Sequence, residues 1–456
     1  MNVVDLLIIG VAGAMAAYLV ATWSVVRTTR DPSIAVTLLL ALYWTLVGAL
    51  PVLLAKRHDA GARYSYLEER LFPIEVDDVY VRVLVAYTAF LLAVVVTVAV
   101  VARARTRRSV LTDQDWAARV TRSLSHERLL AICGALLAVR LALLLIVTRS
   151  GASLYTETRV VQGANARLLL VYQYLTLLGA YAGFIGAGLW LACRSARHAF
   201  RPAHRRTISV AYAALALLVL AENALVGNRA VPLIGLGAVA VLWLRYRWMP
   251  VDRVGRQTLL AGVATVGLLA VLFLGAVGVS RGAAVTSPST AATVLVQTAS
   301  DPGHVFEEVA ASSEKLAAHM SLYGVLANGT ADTRPFTTDT YGLYARTVGA
   351  PADQVFTIHF VTSWVLQVGP VGVLAAAVAL GLVIGALQRV GMVRRSRPTT
   401  ALALCAGSLA AAGIPIVMVR GGVESLWGIV QLMVLPAIPL ALAMPASRAA
   451  TCETAD

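Results

Sequence analysis

Apolar residues in this chain come in runs of about twenty, separated by polar stretches rich in arginine. A helix crosses the hydrocarbon of a bilayer in about 20 residues. Runs of that kind occupy 3–23, 34–55, 79–102, 128–147, 168–193, 207–226, 230–244, 258–280, 360–388, 400–419 and 426–445. The pattern predicts an all-α integral membrane protein with about 11 transmembrane helices. The seventh run is short and has Pro232 near its start, so it is expected to tilt little or to re-enter. No basic residue precedes the first run, and Arg27 and Arg30 follow it. It reads as an uncleaved first span, not a signal peptide.

The polar stretches differ in charge. Of the 38 Lys and Arg, 23 fall in 24–33, 103–128, 194–206, 245–257, 389–399 and the tail. The alternate set (56–78, 148–167, 227–229, 281–359 and 420–425) holds 13 in far more sequence. Short basic loops stay on the cytoplasmic side. The N-terminus is therefore expected outside and the C-terminus in the cytoplasm, with residues 1–456 forming one polytopic domain of the cell membrane. Residues 281–359 become a large extracytoplasmic loop. Within it, Asp301 is placed to cap a helix that Pro302 opens. Val305, Val309, Leu316, Met320 and Tyr323 then recur at helical spacing, and Asn328-Gly329 closes the run. This predicts an amphipathic helix over 302–326, lying on the membrane or over a cavity.

Composition agrees. The chain is 59% hydrophobic and only 14% charged, where soluble proteins carry about a quarter charged residues. The net charge of +14 does not point to nucleic acid, because the arginines alternate by loop and do not share a face. The cysteines, Cys133, Cys193, Cys405 and Cys452, lie in or beside apolar runs or in the tail, so neither a disulfide nor a metal site is expected. No HExxH motif and no phosphate-binding Gly-rich loop occurs. No metal, nucleotide or other cofactor is expected.

The candidate chemistry is cationic. In the expected topology Arg229, Arg281, Arg346 and Arg420 face outward, and a guanidinium fork is a natural receptor for phosphate. Arg229, Arg281 and Arg420 each sit at a span end beside glycine, at the depth of lipid phosphate. Each alone is as well explained by snorkelling to headgroups. Arg140 lies inside "LLAVRLALLLIV", seven residues from the outer end of its span. That is about 10 Å deep, where a charge faces a bundle interior or a wet cavity, the alternative being a side chain that just snorkels to the interface. Glu222 precedes Arg229 by seven residues, two helical turns. The pair shares a face only if the helix continues that far; Glu222 reads either as half of a salt bridge at a helix end or as a base or acceptor-sugar ligand. His359 opens the ninth run, where it serves as a general base at the mouth of an external cavity or as an interfacial ring.

The chain resembles the O-antigen polymerase and O-antigen ligase families over roughly residues 205–400. Three features carry the likeness. Gly227-Asn228-Arg229 opens a span, where the family often shows Gly-Ser-Arg-Gly. A long external loop comes late in the chain. The stretch from His359 through Gly369-Pro370-Val371-Gly372 is similar to the His-containing, Gly-x-x-Gly segment that closes that loop. Ala230 departs from the usual Gly, and Phe360 from the Asn that follows His in ligases; both fit a polymerase better.

The resemblance implies a substrate: an oligosaccharide repeat unit on a polyprenyl diphosphate, polymerised at the outer membrane face. It implies Arg229 and Arg281 as the diphosphate clamp, with Arg346 and Arg420 assisting and Arg140 as a further substrate-binding residue. His359 is expected as the base, with Glu222 second. A flippase and a chain-length regulator are the expected partners besides membrane lipid. Rival readings are a lipid-linked glycan flippase, an O-antigen-type ligase, a single-sugar carrier-lipid glycosyltransferase and a non-enzymatic envelope scaffold.

Overall fold

The computed structural model describes residues 2–29, 31–58, 78–103, 110–149, 165–226, 228, 230–247, 359–368, 371–390, 397–419 and 426–444. Every element among them is a helix. In chain order these are α1 (Val3–Thr29), α2 (Ser33–Leu42), α3 (Ala49–His58), α4 (Asp78–Arg103), α5 (Val110–Ser123), α6 (His126–Arg149), α7 (Asn165–Ala192) and α8 (Arg194–His198). They continue with α9 (Pro202–Leu225), α10 (Ala230–Arg247), α11 (Phe360–Val368), α12 (Gly372–Val390), α13 (Arg397–Cys405), α14 (Ala411–Ile414), α15 (Leu426–Val434) and α16 (Ala437–Ala443). Three π-helical segments, Tyr43–Val47, Ala406–Ala410 and Pro415–Val419, join α2 to α3 and flank α14.

Among the described residues, eight helical stretches are long and apolar enough to cross a membrane: Val3–Thr29, Ser33–His58, Tyr80–Val101, His126–Ile146, Arg167–Ala192, Pro202–Asn223, Thr399–Val419 and Leu426–Ala443. Each coincides with an expected span. The seventh expected span is the shorter apolar helix Ala230–Tyr246. The eighth, 258–280, lies outside the described residues, as do the loop 281–358 and its expected helix over 302–326.

Two expectations are corrected. The ninth span, 360–388, is not one helix but two, α11 and α12. A Cβ on Gly372 would fall 2.6 Å from the carbonyl oxygen of Trp364. Residues eight apart in one straight helix lie about 12 Å apart, so the chain turns back here. Pro370 between them lacks an N–H and disfavours helix before it. Glycine at 372 permits the close backbone approach. The second correction is α5, which the polar stretch 103–128 hid. Trp116, Ala117, Val120 and Leu124 are buried along one face, and Trp116 meets Tyr246 of α10 at 6.3 Å between ring centroids.

The stretch Thr399–Val419 is the most enclosed of the eight, and α1 the most exposed. Val3, Leu6, Ile9, Val20 and Trp23 of α1 face outward, as lipid-facing residues do. Thr37 Oγ1 donates to Ala411 O at 2.7 Å and fixes α2 on the enclosed helix.

Helix α7 organises the rest through small residues. Gly179 faces Leu136 of α6, Gly183 faces Leu215 of α9, and Gly186 sits between Leu129 of α6 and Tyr212 of α9. Rising numbers on α7 meet falling numbers on both neighbours, so α7 runs antiparallel to α6 and α9. Small residues let helices approach where lipid offers no hydrophobic drive. A Cβ at Gly186 would lie 2.6 Å from Leu129 and 2.7 Å from the Tyr212 hydroxyl. Gly186→Ala is expected to lower stability by about 1–3 kcal/mol through overpacking, read as a lower thermal midpoint in detergent.

The starts of α6 and α9 and the end of α16 meet at one end of the bundle. Ser125 N donates to Ala443 O at 3.0 Å, joining the start of α6 to the end of α16. His204 Nε2 lies 3.1 Å from Glu127 Oε1, joining the starts of α9 and α6. Arg140 and Glu222 lie toward the opposite end of the same helices.

Candidate functional site

Helices α6 and α9 run parallel, with α7 against both. Arg140 projects from α6 and Glu222 from α9. Arg140 Nε donates to Glu222 Oε1 at 2.9 Å, and Nη2 pairs with Oε2. The guanidinium thus holds the carboxylate by one hydrogen bond and one further ion-pair contact. Neither side chain has any exposed surface. The third helix supplies Tyr172, whose ring centroid lies 5.9 Å from the guanidinium carbon. Asn223, next to Glu222, is buried as well, and its Nδ2 donates to Val219 O at 2.8 Å. Arg140 Nη1 and Asn223 Oδ1 make no hydrogen bond of ordinary geometry among the described residues. One turn beyond the pair, Leu144, Tyr172 and Val226 form a small apolar cluster of their own.

Beside this cluster α9 ends. Val226 N donates to Glu222 O at 3.1 Å, and Asn228 N to Asn223 O at 2.8 Å. Asn228 Oδ1 then accepts the N–H of Ala230 at 3.0 Å, two residues on, in the geometry of a helix N-cap for α10. Pro232 falls in the first turn of α10, where a missing N–H costs little. The helix thus stops at Leu225, so the shared face expected for Glu222 and Arg229 does not extend through it. The salt-bridge alternative describes Glu222 instead, and its partner is Arg140. Arg229, Arg281, Arg346 and Arg420 themselves lie outside the described residues.

His359 belongs to another group of helices. Its ring is fully buried and packs on Tyr87 and Phe90 of α4, with centroids 4.3 and 6.0 Å away. Val361 N donates to His359 Nδ1 at 3.1 Å, which caps the first turn of α11. A backbone N–H only donates, so Nδ1 offers its lone pair and the ring proton sits on Nε2. That nitrogen lies 3.3 Å from Thr45 Oγ1 in the π-helical segment Tyr43–Val47. Tyr87 and Thr362 hydroxyls meet at 2.9 Å beside it. The expected position at an open cavity mouth is corrected: the ring is enclosed because its nitrogens serve a helix cap and a buried hydroxyl. His359→Ala is expected to lower stability by at least about 1 kcal/mol from the lost cap. His359→Asn, which restores an acceptor, recovers part of it. Thermal unfolding of the three proteins checks this.

Tyr172, Asn223, Thr45 and Tyr87 were not singled out from sequence. Each is a polar residue inside an apolar run, and that is the signal that marks them. Among the described residues no three His, Cys, Asp or Glu side chains cluster to hold a metal ion.

The fold and its charged interior define an all-α protein of the multi-pass membrane class. Compared with known proteins, the chain matches no family model, no curated protein and no solved structure.

Proposed function

We propose that this protein is a membrane glycosyltransferase that polymerises oligosaccharide repeat units carried on polyprenyl diphosphate. The observation that carries the reading is the buried Arg140–Glu222 pair. Ionisable residues inside a membrane bundle are costly and mark substrate or ion pathways. This pair sits against the turn in which Asn228 folds back on Asn223, and Arg229 follows in sequence. The resemblance expects the diphosphate at Arg229, and the buried pair supports a polar site on the helix that leads to it.

The chemistry suits such a site. A hydroxyl oxygen of the acceptor unit attacks the anomeric carbon of the growing chain. The bond from that carbon to the diphosphate oxygen breaks, and its electron pair leaves with the diphosphate. Cations stabilise the charge that develops there: in this reading Arg229 and Arg281 first, with Arg346, Arg420 and Arg140 assisting. The hydroxyl proton passes to a base. The candidates are His359, whose lone pair accepts from Val361 N–H, and Glu222, which serves only once Arg140 releases it. The reading places the site at the outer face, with the N-terminus outside and the C-terminus in the cytoplasm.

The buried pair also serves a second reading, a flippase for lipid-linked glycans, since transporters place charges inside the bundle. Carrier release separates the two. A polymerase frees one polyprenyl diphosphate per new glycosidic bond. A flippase moves the lipid across a liposome bilayer and frees none. A ligase frees the carrier once per finished chain, with no lengthening.

A further inference from the structure

We infer that Glu222 is a built-in competitor for an anion site on Arg140, and that the diphosphate of the lipid donor displaces it. The inference rests on the proposed function for the identity of that anion.

Three observations lead to it. The two Arg140 donors that face Glu222, Nε and Nη2, form the planar fork that also binds phosphate. The carboxylate thus holds the place that a phosphate would take. The pair is also under-satisfied where it stands. Arg140 Nη1 and Nη2, Glu222 Oε2 and Asn223 Oδ1 are buried without hydrogen bonds of ordinary geometry among the described residues, with Tyr172 beside the guanidinium, and such groups in a native structure call for an explanation. An incoming diphosphate brings acceptor oxygens for Nη1, and its sugar hydroxyls bring donors for Asn223 Oδ1. Finally, stability does not account for the pair. A buried ion pair is often no more stable than an apolar pair of similar volume.

Exchange links base to donor. While Glu222 grips Arg140, its oxygens are occupied and it cannot take a proton from a hydroxyl. A diphosphate carries more negative charge than one carboxylate and wins the fork. Glu222 is then released beside the reacting carbon and accepts the proton of the acceptor hydroxyl. Water that reaches an empty site meets no free base, so the chain is protected from hydrolysis. The small Leu144, Tyr172 and Val226 cluster lies one turn beyond the pair, and in this account the headgroup passes it to reach Arg140.

Binding of polyprenyl diphosphate without sugar, measured by native mass spectrometry on protein from nanodiscs, tests the inference. Glu222→Gln keeps the shape and removes the competing charge, so it is expected to bind about tenfold tighter than wild type, since a hydrogen bond to a charged group is worth about 1.5–3 kcal/mol. It is expected to lose transfer. Unchanged or weaker binding by a folded Glu222→Gln overturns the inference. The double variant Arg140→Met with Glu222→Leu fills the site with apolar volume. It is expected to fold and to lose most of the binding, and retained binding overturns the inference even if Glu222→Gln fails to fold. Failure of the parent reading looks different. Tighter binding by Glu222→Gln, with no glycan lengthening by wild type, keeps the anion exchange and sinks the polymerase. Lengthening by wild type with no change in binding does the reverse.

Discussion

Arg140→Leu is expected to lower the stability of the folded protein by about 3–5 kcal/mol, among the largest losses of any single substitution in the chain. The cause is the partner left behind. Glu222 has no exposed surface, and its carboxylate would lose both contacts with the guanidinium. Its neighbour Asn223 already carries an oxygen without a partner among the described residues. An uncompensated buried charge must then be neutralised or hydrated, and the interface of α6, α7 and α9 must open to allow it. The matching change on the other side restores the balance. Arg140→Met with Glu222→Leu is expected to recover most of the loss, because apolar side chains of that volume suit a helix bundle in lipid. Thermal unfolding in detergent of the single and double variants measures both. A single variant as stable as wild type would mean that water already reaches the pair.

The second large effect is catalytic. Arg229→Ala is expected to slow transfer by about 10²–10³-fold, the usual loss when one fixed donor to a developing charge is removed. Stability is expected to change little. Arg229→Lys is expected to recover only part of the rate, because an ammonium is a point charge and lacks the two-donor fork. The rate of carrier diphosphate release, measured on equal amounts of folded protein, reads the effect.

These predictions rest unequally on sequence and on structure. The eight spanning stretches were legible because each carries an apolar run of membrane length, a property local to the chain. The depth of Arg140 in its run was legible too, but it left snorkelling open, and the packing around it shows the side chain buried. Its partner was not legible. Glu222 is 82 residues away, and only the packing of α6 and α9 on one side of α7 brings them together. The glycines that set this packing, Gly179, Gly183 and Gly186, are visible in sequence, but the neighbours they admit are not. Helix α5 was hidden by the arginines around it, although Trp116, Val120 and Leu124 recur every four residues. The break between α11 and α12 was signalled by Gly369-Pro370, which the apolar character of 360–388 outweighed. His359 shows a different limit. Sequence places it correctly at the start of a helix, but a ring at a helix start serves equally as a cap or a base. The hydrogen bond from Val361 distinguishes these roles in the folded chain.

The proposed function is tested most directly by glycan length. Purified protein is given a polyprenyl-diphosphate oligosaccharide extract from its own host, with no nucleotide sugar and no added metal, and the products are separated on a gel. A ladder rising by one repeat unit per step is the expected result. No lengthening, while the same protein carries the intact lipid-linked glycan across a liposome bilayer, would contradict the polymerase and leave the flippase.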